Sequence, residues 1–254
     1  MHAMGRPREL DFTWAKRTGG VLTNRQKLAL TVPLAKVAAR YPISRARTAL
    51  GVRGSASLDL DALRFPDSAL ARDAALEARE TLTPHVAEHS IRTWIFGKLL
   101  AQLRDVRVDD ELTYVACMLH DTHLEHPTAG RCFAVVGGEH AEQFALHRCV
   151  PADRAAAIGA AIAGHITVGA SEDLADPAGF VSAGAFVDIT GFGLDAIDPA
   201  WIDELHRRHP RHQLRGHFLS AWAAERRAMP AGRAQWLTRY GAFPILLRAS
   251  PYAE

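Results

Sequence analysis

The stretch Glu111-Leu-Thr-Tyr-Val-Ala-Cys-Met-Leu-His-Asp121 decides how this chain is interpreted. It is typical of an apolar helix, and the acidic residues at its start favour a helix amino terminus. The predicted helix ends at His120 and Asp121. An imidazole and a carboxylate at a buried helix end are costly to desolvate unless something pairs with them. A divalent metal would pair with both, but a metal-free His–Asp hydrogen bond is also known, so the doublet needs support from the rest of the chain.

The segments around this stretch predict one helix after another from Pro66 onward. Asp67 is an expected amino-terminal cap, and proline and glycine mark the breaks, as at Pro177 and Gly179. No period-two strand of useful length occurs, so the predicted fold class is all-α. The predicted helices are His85–Gln102, the one ending at His120, Glu139–His147, Arg154–His165, Ser182–Leu194, Ala200–His209 and His212–Met229.

Residues 1–60 are predicted to form a basic, partly helical extension to a helical bundle at residues 61–254. A helix is expected over residues 25–32, a break at Tyr41-Pro42 and a linker at residues 51–57. Residues 1–54 carry eleven Lys or Arg against two acidic residues. Such a segment could contact nucleic acid, anionic lipid or an anionic substrate, or fold back on the acidic remainder, which we favour. Nucleic acid is disfavoured because no interleaved aromatic residues or Gly-Lys phosphate loop accompany the charge.

The amino-acid composition limits the kinds of protein to which this chain can belong. The 254 residues are 48% hydrophobic and 23% charged, as expected of a globular protein with a substantial core. The three cysteines form no CxxC pair, and their odd number argues against a disulfide framework, so we expect a cytoplasmic protein. No apolar run is long enough for a membrane span.

Four residues form the candidate metal site: His89, His120, Asp121 and Asp188. Each lies in or at the end of a predicted helix among apolar neighbours. Asp188 shares a helical face with apolar residues, although a lone aspartate there would more often be a cap or a salt bridge. Two imidazoles and two carboxylates suit Zn, Fe, Mn, Co or Ni, and sequence does not choose among these metals. Such a metal would activate a water molecule.

With these four residues the chain resembles the HD-domain metallohydrolases, in which an ordered H…HD…D pattern on consecutive helices binds a catalytic divalent metal. Several local segments are similar to the cyanamide hydratase-like branch, over roughly residues 64–249, and Thr13–Gly20 is similar to bacterial HD proteins of unassigned activity. The resemblance implies an all-α HD-domain bundle. These segments are Pro66–Arg72, His89–Thr93, Tyr114–Asp121, Phe133–Gly138 and Gly184–Gly191.

One departure bears on the chemistry. Phosphohydrolase branches of that superfamily carry Gly-Lys after the doublet, whereas this chain continues Thr122-His123. The missing lysine removes a phosphate-binding cation and disfavours phosphomonoester cleavage. Arg92, one turn after His89, could supply that charge instead, so it is kept as a candidate catalytic residue.

Two further histidines could extend the site. His165 shares a face with apolar residues of its predicted helix and should point inward, and His140 lies near a predicted helix start. By resemblance to dinuclear HD proteins, His140 and His165 could hold a second metal. Alternatively, His165 forms a hydrogen bond behind the metal ligands or contacts the substrate, and His140 only lies at a helix start. Asp121 or His165 is the expected carrier of protons.

The leading expectation is a metal-dependent hydrolase or hydratase acting on a small molecule, cyanamide- or nitrile-like by resemblance. One alternative is hydrolysis of a nucleotide or phosphate ester, with Arg92 on the phosphate. Another is a non-catalytic HD module that binds a ligand or partner through the basic extension. No organic cofactor is expected, and a homo-oligomer is left open. Phe133, Phe186 and Phe192 recur near the site segments, and one or two of them could wall a small apolar pocket.

Overall fold

A computed structural model describes residue 7 and residues 9–254. Over these residues the fold is all-α, as predicted, and the strand-type pairing is limited to a single isolated bridge between Ala56 and Ile197. In chain order the helices are α1 (Phe12–Thr18), α2 (Asn24–Ala29), α3 (Thr31–Ala49), α4 (Ala69–Thr81), α5 (Pro84–Leu103), α6 (Asp110–Leu119), α7 (Phe133–Leu146), α8 (Ala152–Gly164), α9 (Pro177–Thr190), α10 (Pro199–Arg208), α11 (Leu214–Ala228), α12 (Arg233–Tyr240) and α13 (Phe243–Arg248). Short 3₁₀ turns cover Ala170–Glu172 and Leu194–Ala196.

Helices α5 and α9 pack closely because glycine lies where they meet. A Cβ atom on Gly184 of α9 would overlap the Thr93 carbonyl oxygen of α5, and one on Gly97 would lie 2.5 Å from the Phe180 ring. The short separation is therefore possible only without side chains at these positions. It brings His89 on α5 opposite Asp188 on α9.

Helix α6 begins at a side-chain cap and ends at the candidate site. The Asp109 carboxylate accepts a hydrogen bond from the Leu112 N–H at 2.9 Å, which satisfies one free donor of the first turn. Every residue from Leu112 to Leu119 is buried. Burial on all sides explains why the run is apolar except for Thr113, whose hydroxyl donates to the Asp109 carbonyl, and the run carries His120 and Asp121 into the interior.

The amino-terminal segment is packed into the body of the protein. Leu10, Trp14, Leu22 and Leu30 are buried in the same apolar cluster as Phe133 and its neighbours. Farther along, the Ser44 hydroxyl donates to Asp195 at 2.6 Å. The basic segment thus folds back onto the remainder of the chain through apolar contacts as well as charge.

Several predicted helix limits were wrong. Helix α7 begins at Phe133, six residues before the predicted start, because Gly137 and Gly138 are buried packing positions rather than a break. Helix α9 begins at Pro177, which occupies the first turn, where its missing N–H costs nothing. Helix α3 continues through the predicted break at Pro42.

No helix in residue 7 or residues 9–254 is both long and apolar enough to cross a membrane. Cys117, Cys132 and Cys149 are all free thiols.

Candidate metal centre

His89, His120 and Asp121 meet in the interior. The Nε2 atoms of the two histidines lie 3.3 Å apart, and Oδ2 of Asp121 lies 3.6 Å from His89 Nε2 and 3.4 Å from His120 Nε2. Two ligand atoms bound tetrahedrally at about 2.0–2.1 Å from a metal are about 3.3 Å apart. The spacing therefore suits a single divalent cation.

The second nitrogen of each ring is held by an acceptor. Nδ1 of His120 donates to the Cys117 carbonyl at 2.7 Å, and Nδ1 of His89 donates to Asp188 Oδ2 at 2.6 Å. A carbonyl oxygen cannot donate, so the proton of neutral His120 is on Nδ1 and its Nε2 carries a lone pair. The acceptors thus leave both Nε2 atoms directed at the same point, as metal-binding histidines require.

The three groups are poorly matched to one another without a cation. His89 and His120 are fully buried and Asp121 is 2% exposed, so water does not screen them. Burial lowers the pKa of His120 and favours its neutral ring. The lone pair on Nε2 of His120 then faces the carboxylate of Asp121, and Oδ1 of Asp121 has no hydrogen-bond partner. A divalent metal would satisfy this set of donors.

His165 lies at the edge of the group. Its Nε2 atom is 3.7 Å from Asp121 Oδ1, while its Nδ1 donates to the Ile162 carbonyl at 2.6 Å. Burial and the neighbouring His120 hold the pKa of His165 well below its usual value. The neutral ring therefore directs the lone pair of its Nε2 toward the unpaired oxygen of Asp121.

Asp188 lies behind His89. Arg92 binds its carboxylate at 2.8 and 3.0 Å, and Nη1 of Arg211 binds it at 3.0 Å. Burial alone would raise the pKa of Asp188, but the two guanidinium groups and His89 hold it well below the usual value. The carboxylate is therefore ionised and its oxygens are occupied, outside the group formed by the other three predicted ligands.

All the guanidinium nitrogens of Arg92 already donate hydrogen bonds within the protein. It is fully buried, and its remaining nitrogen, Nη1, donates to the carbonyl oxygens of His209 and Pro210 at 3.0 and 2.9 Å. The predicted phosphate-binding role would require breaking these bonds. Arg211, which the sequence analysis missed, shares the Asp188 carboxylate. Arg211 lies between α10 and α11, where no sequence pattern indicates its contact with Asp188.

His140 occupies a different environment. It is partly exposed, its Nε2 lies 3.3 Å from Glu77, and its ring is 5.5 Å from that of His123. Within the described part of the chain, the cluster of His89, His120 and Asp121 is the one group of three or more such residues with metal-ligand spacing. The structure thus places His165, but not His140, beside that group.

An apolar cavity of about 110 Å³ opens onto the three residues and His165. Its walls include the predicted Phe133 and Phe186, and also Phe218 and Trp222, which the sequence analysis did not single out. Phe192, the third predicted aromatic residue, stacks on Tyr41 instead. The buried polar residues therefore lie at one side of an apolar cavity, as is common for small-molecule sites.

Comparison with known proteins adds no assignment. No model of a known protein family matches the chain, and no curated protein matches it.

Proposed function

We propose that this protein is a metal-dependent hydrolase or hydratase that acts on a small uncharged carbon electrophile. The observation that supports it is the meeting of His89 Nε2, His120 Nε2 and Asp121 Oδ2 at the floor of a cavity. The ordered pattern of these residues resembles the HD-domain metallohydrolases, and a nitrile- or amide-like substrate is proposed by that resemblance.

Each residue has a distinct proposed role. His89, His120 and Asp121 would hold the metal, and Asp188 would orient His89 through its Nδ1–H. When bound, a divalent metal acts as a Lewis acid and lowers the pKa of water. Asp188 was predicted as a fourth ligand, and we now propose that it is a positioning residue because its oxygens are bound by His89, Arg92 and Arg211.

Proton transfer is assigned to Asp121 and His165. In hydration of a nitrile, the oxygen of water bonds to carbon while one of its protons moves to a base and is then delivered to nitrogen. Oδ1 of Asp121 is unpaired, and His165 Nε2 lies 3.7 Å from it. The two atoms could pass that proton between them, which is general acid–base catalysis.

Phosphate-ester hydrolysis is less well supported. Among the described residues that line the cavity there is no lysine or arginine, and Arg92 is held by Asp188 and two carbonyl oxygens. A phosphate would enter this cavity without a side-chain cation to compensate its charge, which is costly in an apolar site.

Metal analysis of purified protein is the deciding experiment. We expect about one divalent metal per chain in the wild type and loss of most of it in Asp121→Ala. His147→Ala, at an exposed histidine, is the control and should keep the metal. Turnover of cyanamide and simple nitriles, against a panel of nucleotides, is measured on the metal-loaded protein. A folded wild type that binds no divalent metal would instead favour a non-catalytic ligand-binding module.

A further inference from the structure

The cavity above the candidate metal centre is larger and less polar than a cyanamide-sized substrate needs. Its volume is about 110 Å³, which is somewhat below the volume of about 150 Å³ of an apolar cavity that binds benzene. Phe133, Phe186, Phe218 and Trp222 are among its walls. A three-heavy-atom substrate would leave most of this apolar surface without a partner.

The polar groups of the cavity are concentrated on one side. Apart from the four residues of the centre, the described lining residues with polar side chains are Ser171 and Ser182. Asp121 carries the only formal charge in that described lining. A charged group placed against the apolar walls would lose its hydration without gaining a partner. The walls therefore select against ions.

The amino-terminal segment supplies part of this wall. Leu34 and Val37 lie one turn apart on α3 and both line the cavity. Farther along the same helix, Ser44 Oγ and Arg47 Nε contact the two oxygens of Asp195 at 2.6 and 2.7 Å. These contacts hold α3 against the body, so its apolar side chains are fixed at the site.

We propose that the substrate is a neutral molecule whose electrophilic carbon carries an apolar group no larger than a benzene ring. Leu34 and Val37 are specificity-determining residues that contact this group. The reaction at that carbon rests on the proposed function, whereas binding of the apolar group rests on the cavity.

The test measures binding of benzonitrile to the full-length protein by calorimetric titration. We expect saturable binding at least tenfold tighter than that of acetonitrile, which lacks the ring, and of 4-cyanobenzoate, which carries a charge at the apolar end. Val37→Trp should fill the cavity and weaken benzonitrile binding at least tenfold. The control is Val32→Trp, an exposed position on the same helix, which should leave binding unchanged.

A second variant avoids dependence on the folding of Val37→Trp. Val37→Ala enlarges the cavity and should improve binding of 4-methylbenzonitrile relative to benzonitrile. No saturable benzonitrile binding, or binding that neither Val37 variant alters, would overturn the proposal. The proposal would also be overturned if 4-cyanobenzoate bound as tightly as benzonitrile and if Val37→Trp abolished that binding. Metal content is read separately, so a metal-free protein that binds benzonitrile would refute the proposed function alone.

Discussion

At the scale of single residues, the site depends on which ring nitrogen of each histidine donates a hydrogen bond. Three imidazoles donate from Nδ1, to Asp188, to the Cys117 carbonyl and to the Ile162 carbonyl, and each leaves Nε2 free. Two of these acceptors are backbone carbonyls three residues earlier in the chain, so His120 and His165 are oriented by local helix geometry. His89 is oriented by Asp188, a residue 99 positions away.

Asp188→Asn tests the role of that contact. The substitution keeps the side-chain shape but leaves Arg92 and Arg211 without a buried counter-charge. We expect a loss of about 3–5 kcal/mol in the free energy of unfolding, and a fall of about 10–100-fold in metal affinity because His89 is less well oriented. Urea denaturation of the metal-free protein and metal titration against a chelator measure the two effects.

Asp203→Asn is the matched control for Asp188→Asn, because it makes the same chemical change at an exposed position. Its free energy of unfolding should change by less than about 0.5 kcal/mol. If Asp188→Asn lost stability but bound metal as tightly as the wild type, Asp188 would serve packing alone.

At the scale of helices, the site exists because α5 and α9 approach closely at Gly184. The apolar run of α6 and the helix-forming segments around it were sufficient to predict helices and which of their faces are buried. The glycines were harder to interpret. The predicted helix at Glu139–His147 left out Gly137 and Gly138, yet both are buried within α7, because a residue without a side chain serves close packing as well as a turn.

Gly184→Ala should separate α5 from α9. The added methyl group would overlap the Thr93 carbonyl oxygen, so the helices must move apart. We expect a loss of about 1–3 kcal/mol in the free energy of unfolding, together with weaker metal binding because His89 moves relative to Asp188. Gly216→Ala is the control, since a Cβ atom there meets nothing within 4 Å and the position is helical. It should gain about 0.5–1 kcal/mol. Equal effects of the two substitutions would contradict the close-packing argument.

The ionised side chain of Asp109 makes the stability of the start of α6 depend on pH. A hydrogen bond from Arg154, aided by the backbone N–H of Leu112, lowers the pKa of Asp109. A lowered folded-state pKa means that this stabilisation is present above the unfolded-state pKa and is lost as pH falls through the folded-state value. Asp109→Ala should cost about 1 kcal/mol at pH 7 through loss of the cap.

Asp109→Asn separates the cap from the charge. Its amide oxygen can still accept from Leu112, so the difference in unfolding free energy from wild type reflects the charge. Urea titrations from pH 7 downward should show this difference shrinking as Asp109 of the wild type becomes protonated below its usual pKa. A difference that stays constant with pH would show that the ion pair with Arg154 contributes nothing.

At the scale of the whole molecule, the amino-terminal segment and the remainder share one interior. Charge and linker composition predicted a boundary in the chain at residue 60. The structure places Leu10, Trp14 and Leu30 in the cluster that also contains Phe133, and α3 lines the cavity. Charge asymmetry indicated that the segment would fold back, but not that it would help to form the site.

Trp14→Ala measures how much the core depends on this segment. Trp14 is 4% exposed, and its removal should cost about 3–5 kcal/mol in the free energy of unfolding. Leu28→Ala, in the same segment but 70% exposed, should change it by less than about 0.5 kcal/mol. Denaturant unfolding of both variants makes the comparison. A small effect at Trp14 would mean that the segment is a dispensable extension.

Helical periodicity and apolar neighbours are local properties of the chain, so they were enough to predict the all-α class and the burial of His89, His120, Asp121 and Asp188. Which of these residues meet depends on contacts between helices that are distant in the chain. Distances across helices place three of them around one point and leave Asp188 against Arg92 and Arg211. The apolar run that ends at His120 and Asp121 brings the doublet inside, and the packing of other helices decides what it meets there.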